Sequence, residues 1–244
     1  MSELLNRDER ERKVAKALRT LHGKQLRELK KLMGEPPDAQ RVPDSFWKQA
    51  EEDHEELLLL LLMDVFYDAA EQEFPDRVTP DDAERWAERH AARTARDITR
   101  HSVERVRDAW RDFDPEDRES RRQFDERVRD TFSRDRADNI AATETTRAQT
   151  DGQQQGVREE NKAREKAAED SDDGEPAKIL VAFWNAIRDS KTCPVCRPLH
   201  NTPERVWGQE FPDGPPAHPA CRCWLDYRED LRAKGYVPSS LQTQ

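Results

Sequence analysis

Between Arg7 and Met33 apolar residues return every three to five positions, at Val14, Leu18, Leu21, Leu26, Leu29 and Leu32, and this spacing predicts a helix with one buried stripe. Gly34, Pro36 and Pro37 stop it. A second helix is expected from Asp44 or Ser45, just after Pro43, to about Phe74, ahead of Pro75. Its middle carries consecutive leucines from Leu57 to Leu62, followed by Met63, so the helix is apolar on every side there. Such a girdle is expected to be covered by the chain's own helices or by a neighbouring subunit, because a run this apolar is rarely left open to water. A third helix should open with Thr79 as N-cap, Pro80 in the first turn and Asp81 and Asp82 against the positive end of the dipole. Ala83, Trp86, His90, Ala95, Ile98, Ser102, Val106 and Trp110 then follow its inner face. Asp114, before Pro115 and Glu116, signals a fourth helix, with Phe124, Val128 and Phe132 at intervals of four. It is expected to reach Ala148 and to fray towards Ala168.

The pattern changes over residues 169–176, EDSDDGEP, which read as a linker or exposed turn. Downstream, residues 178–187 (KILVAFWNAI) form the first β-rich run, and residues 223–227 form a second, shorter one. A small hairpin or sheet is expected. The predicted fold is therefore mainly α with a small α+β C-terminal module: long helices followed by a Cys/His-stapled, β-containing domain. The expected division is an N-terminal helical region over 1–120, a domain over 121–228 whose stapled part is 178–228, and a tail over 229–244.

Composition narrows the choice further. Only 34% of the 244 residues are hydrophobic, 39% are charged and there are 8 glycines, so the apolar side chains must be concentrated on helix stripes rather than spread through a layered sheet. The net charge of -10 repels phosphate backbones and anionic membranes. Arg outnumbers Lys and carboxylates abound, a balance that points to a salt-adapted, halophilic source. Residues 1–12 contain no apolar signal core, and the run from Leu57 reaches Tyr67 only through Asp64, short of the ~20 residues a bilayer span needs. A soluble chain made in the cytoplasm, without membrane contact, is the expectation.

All four cysteines lie between positions 193 and 223, as Cys193-Pro-Val-Cys196 and His218-Pro-Ala-Cys221-Arg-Cys223. A C-x2-C turn brings two sulfurs to one ion, and H-x2-C can complete a tetrahedral shell from the other side. Zinc suits such a mixed sulfur and nitrogen set. Five candidates compete for four places; spacing favours Cys193, Cys196, His218 and Cys221, with Cys223 able to replace either His218 or Cys221. Two disulfides are the rival arrangement. A redox C-x2-C fits less well, since no thioredoxin-like βαβ pattern surrounds it. His200 reads as a neighbour of the site rather than a ligand. Trp184, Trp207, Trp224 and Phe183 are the expected core around the staple, because a module this small needs aromatics and a metal to hold together.

The ordered set of residues 140–147 (IAATETTR), Trp184, Cys193-Pro-Val-Cys196, Leu199 and residues 215–223 (PPAHPACRC) resembles the phage Mu F-type minor head protein domain, over roughly residues 124–228. The resemblance implies a head morphogenesis protein of a tailed virus, associated with the portal vertex, with the portal protein and the major capsid protein as partners and several copies in each virion. It implies residence in the virion, and in the host cytoplasm during assembly. The family loop after the first Cys pair commonly reads Leu-Asp-Gly or Leu-Asn-Gly, where this chain has Leu199-His200-Asn201. Some members carry a further toxin or enzyme domain beyond the Cys/His module; about twenty residues follow Cys223 here. Glu144 and Arg147 read either as a buried pair orienting the helix against the module or as solvated charges.

No Ser-His-Asp order, P-loop or glycine-rich phosphate cradle occurs, so no enzyme is expected. Two other functions compete. A zinc-stapled nucleic-acid-binding module engaged in DNA packaging or ejection would call for a basic face, against a net charge of -10. A metal-dependent hydrolase would need an open coordination position, which four protein ligands do not leave.

Overall fold

The computed structural model describes residues 7–171, 176–187 and 192–229. In chain order the elements are helices α1 (Arg7–Met33), α2 (Asp44–Glu73), α3 (Pro80–Arg111), α4 (Arg118–Thr131) and α5 (Arg134–Glu169), then strand β1 (Leu180–Asn185), strand β2 (Thr202–Pro203), the short helix α6 (Glu204–Trp207) and strand β3 (Trp224–Glu229). The mainly α fold with a small α+β C-terminal module is therefore present, as the pattern predicted. None of the described helices is long and apolar enough to cross a membrane.

The chain divides into two compact units, neither of them continuous in sequence: Glu11–Leu62 with Arg85–Ala141, and Met1–Arg10 with Met63–Glu84 and Ala142–Gln244. This differs from the expected boundary near residue 120. Hydrophobic periodicity marks where a helix lies but carries no sign of which unit each half of a long helix joins.

The first of these units is helical. Leu29, Met33, Phe46, Val106, Ala109, Phe124, Val128 and Phe132 form its apolar cluster, with Trp47, Trp110 and Phe113 half-buried beside it. The buried stripe of α1 runs Val14, Leu18, His22, Gln25, Leu29 and Met33. Leu21, Leu26 and Leu32 flank it at intermediate burial. Two polar side chains thus sit on the axis of the stripe, where a search for apolar recurrence passes over them. His22 packs edge-on against His54 and Phe132, with ring centroids 5.4 and 6.0 Å apart. His54 donates from Nδ1 to the Ala50 carbonyl at 2.6 Å, and Arg136 donates to the Ser102 hydroxyl at 2.9 Å and the Ile98 carbonyl at 3.0 Å.

The leucine girdle is only partly covered. Leu58 and Leu62 are buried, but Leu60 is 60% exposed. At 100° per residue Leu60 points opposite to Leu58 and Leu62, so a helix lodged on one side leaves it in solvent.

The helix expected to run from Asp114 to Ala148 and beyond is two helices. Asp117, rather than Asp114, caps α4, accepting from the backbone N–H groups of Glu119 and Ser120. At Phe132 the chain turns, and the Ser133 hydroxyl accepts from Arg136 N at 3.2 Å to open α5. The signal was a serine N-cap inside a charged run, which satisfies one of the helix's first unpaired N–H groups.

The second unit carries the C-terminal module. The reciprocal bonds between Thr79 and Asp82, with Asp82 N donating to the Thr79 hydroxyl at 3.2 Å and Thr79 N to the Asp82 carboxylate at 3.0 Å, form a capping box at the start of α3. Gly152 and Gly156 let α5 approach α2 closely: a Cβ on Gly152 would overlap the Phe66 carbonyl, and one on Gly156 would lie 2.9 Å from the Phe74 ring. The three strands form an antiparallel sheet in the order β2-β1-β3, with Trp184 opposite Thr202 on one side and Leu225 on the other.

Candidate metal centre

Side chains alternate across a strand, and β1 and β3 use this to build one apolar face. Ala182, Trp184 and Ala186 of the β1 segment join Cys223 and Leu225 of the β3 segment, together with Cys196, Trp207 and Cys221, in one buried cluster. Trp184 and Trp207 pack edge to face at 5.4 Å, and the Trp207 indole donates to the Thr202 carbonyl at 3.1 Å. Of the four aromatics expected here, these two are core. Trp224 and Phe183 are only half-buried, because each occupies the alternate strand position; Phe183 lies beneath the Arg228 guanidinium at 4.7 Å. Phe211, with no strand pattern to mark it, packs on Trp184 instead.

The five Cys and His candidates converge on Cys196. The donor atoms of Cys193, Cys196 and His218 lie within 4.8 Å of one another, and so do those of Cys196, Cys221 and Cys223. All four thiols are free. The Cys196 and Cys221 sulfurs are 3.8 Å apart, matching the edge of about 3.8 Å that two thiolates at about 2.3 Å from a tetrahedral ion must span. His218 Nε2 lies 2.9 Å from Cys193 Sγ and 3.3 Å from Cys196 Sγ. Its Nδ1 donates to the Pro219 carbonyl at 2.8 Å, which leaves the Nε2 lone pair facing the sulfurs, the tautomer a metal-binding imidazole adopts. The C-x2-C turn is closed by Arg197 N donating to the Cys193 carbonyl at 3.1 Å and by Cys196 N donating to Cys193 Sγ at 3.2 Å.

The sulfurs shift one another's ionisation. Hydrogen bonds from Cys196 and Cys223 bring Cys221 down to about 2, against the opposing effect of burial. Cys196 is correspondingly pushed up, by its hydrogen bonds to Cys221 and Cys223 and by burial. At Cys223 the bond from Cys196 favours the thiolate, but the bond to Cys221 and burial outweigh it and hold the group at about 12. Burial opposes ionisation at all three of these sulfurs. A divalent cation reverses that, since several thiolates can ionise around it. The donor set therefore fits a metal ion.

Helix α5 holds the loop that carries His218, Cys221 and Cys223. The Thr146 hydroxyl donates to the Cys221 carbonyl at 2.6 Å, and Ala220 N donates to the Thr143 hydroxyl at 2.8 Å, pinning Ala220 at φ 57. Arg7 donates to the Arg222 carbonyl at 2.7 Å and to the Thr146 hydroxyl at 2.6 Å. Sequence reasoning singled out Glu144 and Arg147 in this stretch. Arg147 instead donates to the Asp213 carbonyl at 3.2 Å and reaches Asp151 at 3.9 Å, while the two threonines beside it carry the loop. The signal available was a pair of threonines three apart, which share a helix face. His200 stands outside both donor groups and accepts from Ala186 N at 3.2 Å.

Compared with family models, with curated proteins and with solved structures, the chain matches none.

Proposed function

We propose that this chain is a structural minor head protein of a tailed virus, of the phage Mu F type, acting in head morphogenesis at the portal vertex. Long helices supply contact surfaces, and a zinc ion held by Cys193, Cys196, His218 and Cys221 makes the C-terminal module a rigid docking piece. Cys223 is the alternate ligand in place of His218 or Cys221. The portal protein and the major capsid protein of the same virus are its partners, in several copies per virion, and assembly takes place in the host cytoplasm. No enzymatic step is assigned to the site, because four protein ligands leave no position for a reacting water and thiolates weaken the ion as a Lewis acid.

The observation that carries this reading is the meeting, in one unit, of the motif's separate pieces. Thr143 and Thr146 of the T-E-T-T-R helix hold the H-P-A-C-R-C loop, and that loop meets C-P-V-C over the Trp184 strand. The departure in the loop after the first Cys pair is also accommodated. Asn201 stands where the family has Gly and takes φ 60, a left-handed conformation that Asn tolerates, with its N–H donating to the Trp184 carbonyl at 2.6 Å. Co-expression of a tagged chain with the portal and major capsid proteins tests the proposal. Recovery with portal rings or heads is expected; a chain that elutes alone while both partners assemble normally argues against it.

A further inference from the structure

Arg7 is 3% exposed, and its two terminal nitrogens reach different partners: Nη1 the Arg222 carbonyl at 2.7 Å, Nη2 the Thr146 hydroxyl at 2.6 Å. Thr146 has one hydroxyl proton and gives it to the Cys221 carbonyl at 2.6 Å, so towards Arg7 it can only accept. The result is a directed chain from guanidinium to hydroxyl to the backbone of Cys221, with a parallel branch to Arg222 between the two cysteines. A carbonyl and a hydroxyl oxygen held at those two points are what a planar fork of donors matches and a single ammonium does not. A buried guanidinium is held by such bonds or must return to water. Thr143 fixes the same loop from α5 through Ala220 N.

We propose that Arg7 is a positioning residue for the metal centre: by bracing residues 218–223 it sets the Cys221 and Cys223 sulfurs for the ion, and occupation of the centre in turn seats the first turn of α1. This rests on the reading of the Cys/His cluster as a metal site. The coupling is reciprocal, since whatever Arg7 adds to metal affinity the metal must return as attachment of the α1 start.

The test uses the full chain, reduced and loaded with zinc or with cobalt(II) as a spectroscopic probe. Arg7→Met is expected to weaken zinc binding about 10- to 100-fold, the usual effect of losing a partner of a ligand-bearing group, and to shift the cobalt absorption bands. Arg7→Lys should restore only part of the affinity. In the wild-type chain, zinc removal should speed amide exchange at residues 11–14, whose N–H groups bond back to the first turn of α1. If Arg7→Met does not fold, Thr146→Val removes the relay hydroxyl at nearly constant shape and should weaken zinc binding in the same direction. A wild-type chain that binds zinc together with an Arg7→Met chain of unchanged affinity and cobalt spectrum overturns the coupling alone. A wild-type chain that binds no zinc overturns the metal reading, and the coupling falls with it.

Discussion

The two units bury polar groups in opposite ways. In the helical unit, His22 and His54 lie in the interior beside the Arg136 guanidinium, and burial drives their pKa down to about 3 and about 4. They are tolerated because they are neutral. In the C-terminal unit Cys196, Cys221 and Cys223 meet the same desolvation, within a cluster that could hold a cation. One interior is stable while its polar groups stay uncharged; the other, with a cation bound as proposed, would hold charged sulfurs around it. The first should therefore be sensitive to acid and the second to chelation.

The largest expected effect is at the candidate metal centre. Cys196 is the donor common to both groups, and Cys196→Ser should unfold the module over residues 178–229, since a core this small is linked to its ion. Limited proteolysis measures this: cleavage within the module should become rapid while residues 11–62 and 85–141 remain protected. Equal protease resistance in mutant and wild type would remove the distinction between the units.

Acid gives the second contrast. Both histidines are lowered below their unfolded value of 6.5, so between that pH and about 4 the unfolded chain binds more protons than the folded one. Their neutral, buried form contributes stability above about pH 6.5 that is lost as pH falls towards 4 and 3, at up to about 1.4 kcal/mol per pH unit for each histidine. His54 is also biased by Asp53, which favours its charged form, and both rings are opposed by Arg136. His22→Leu should flatten the acid limb of a denaturation-midpoint curve for the helical unit. An unchanged limb would show that carboxylates alone set it.

The smallest effect is expected at the girdle. With Leu60 60% exposed, Leu60→Asp should change the stability of the isolated chain by no more than about 0.5 kcal/mol, as surface substitutions do. Thermal melting measures that. The same variant in head assembly then separates a partner contact, which would fail, from a bare surface, which would not.

How much of this was legible in the sequence varied with the kind of signal. Helix ends at Pro43, Pro75 and Thr79 were readable because proline and capping residues act locally. The break at Ser133 was missed, since the flanking residues continue a charged helical pattern and only the cap chemistry interrupts it. The polar centre of the α1 stripe was invisible for a related reason: His22 and Gln25 fall at core positions, but their residue types suggest surface. The clustering of the five Cys and His residues was legible from spacing, because C-x2-C and H-x2-C are local turns. Their support was not. Arg7 and Cys221 are separated by more than two hundred residues, and nothing in a single sequence announces that a charged side chain near one end will be buried against a loop near the other.

Native mass spectrometry of the reduced, purified chain is the most direct test of the central claim. The account predicts a mass increased by about one zinc ion per chain, lost in Cys196→Ser, with the wild-type thiols slow to alkylate until a chelator is added. A chain that carries no metal, with all four thiols alkylating at once or paired in two disulfides, would contradict it.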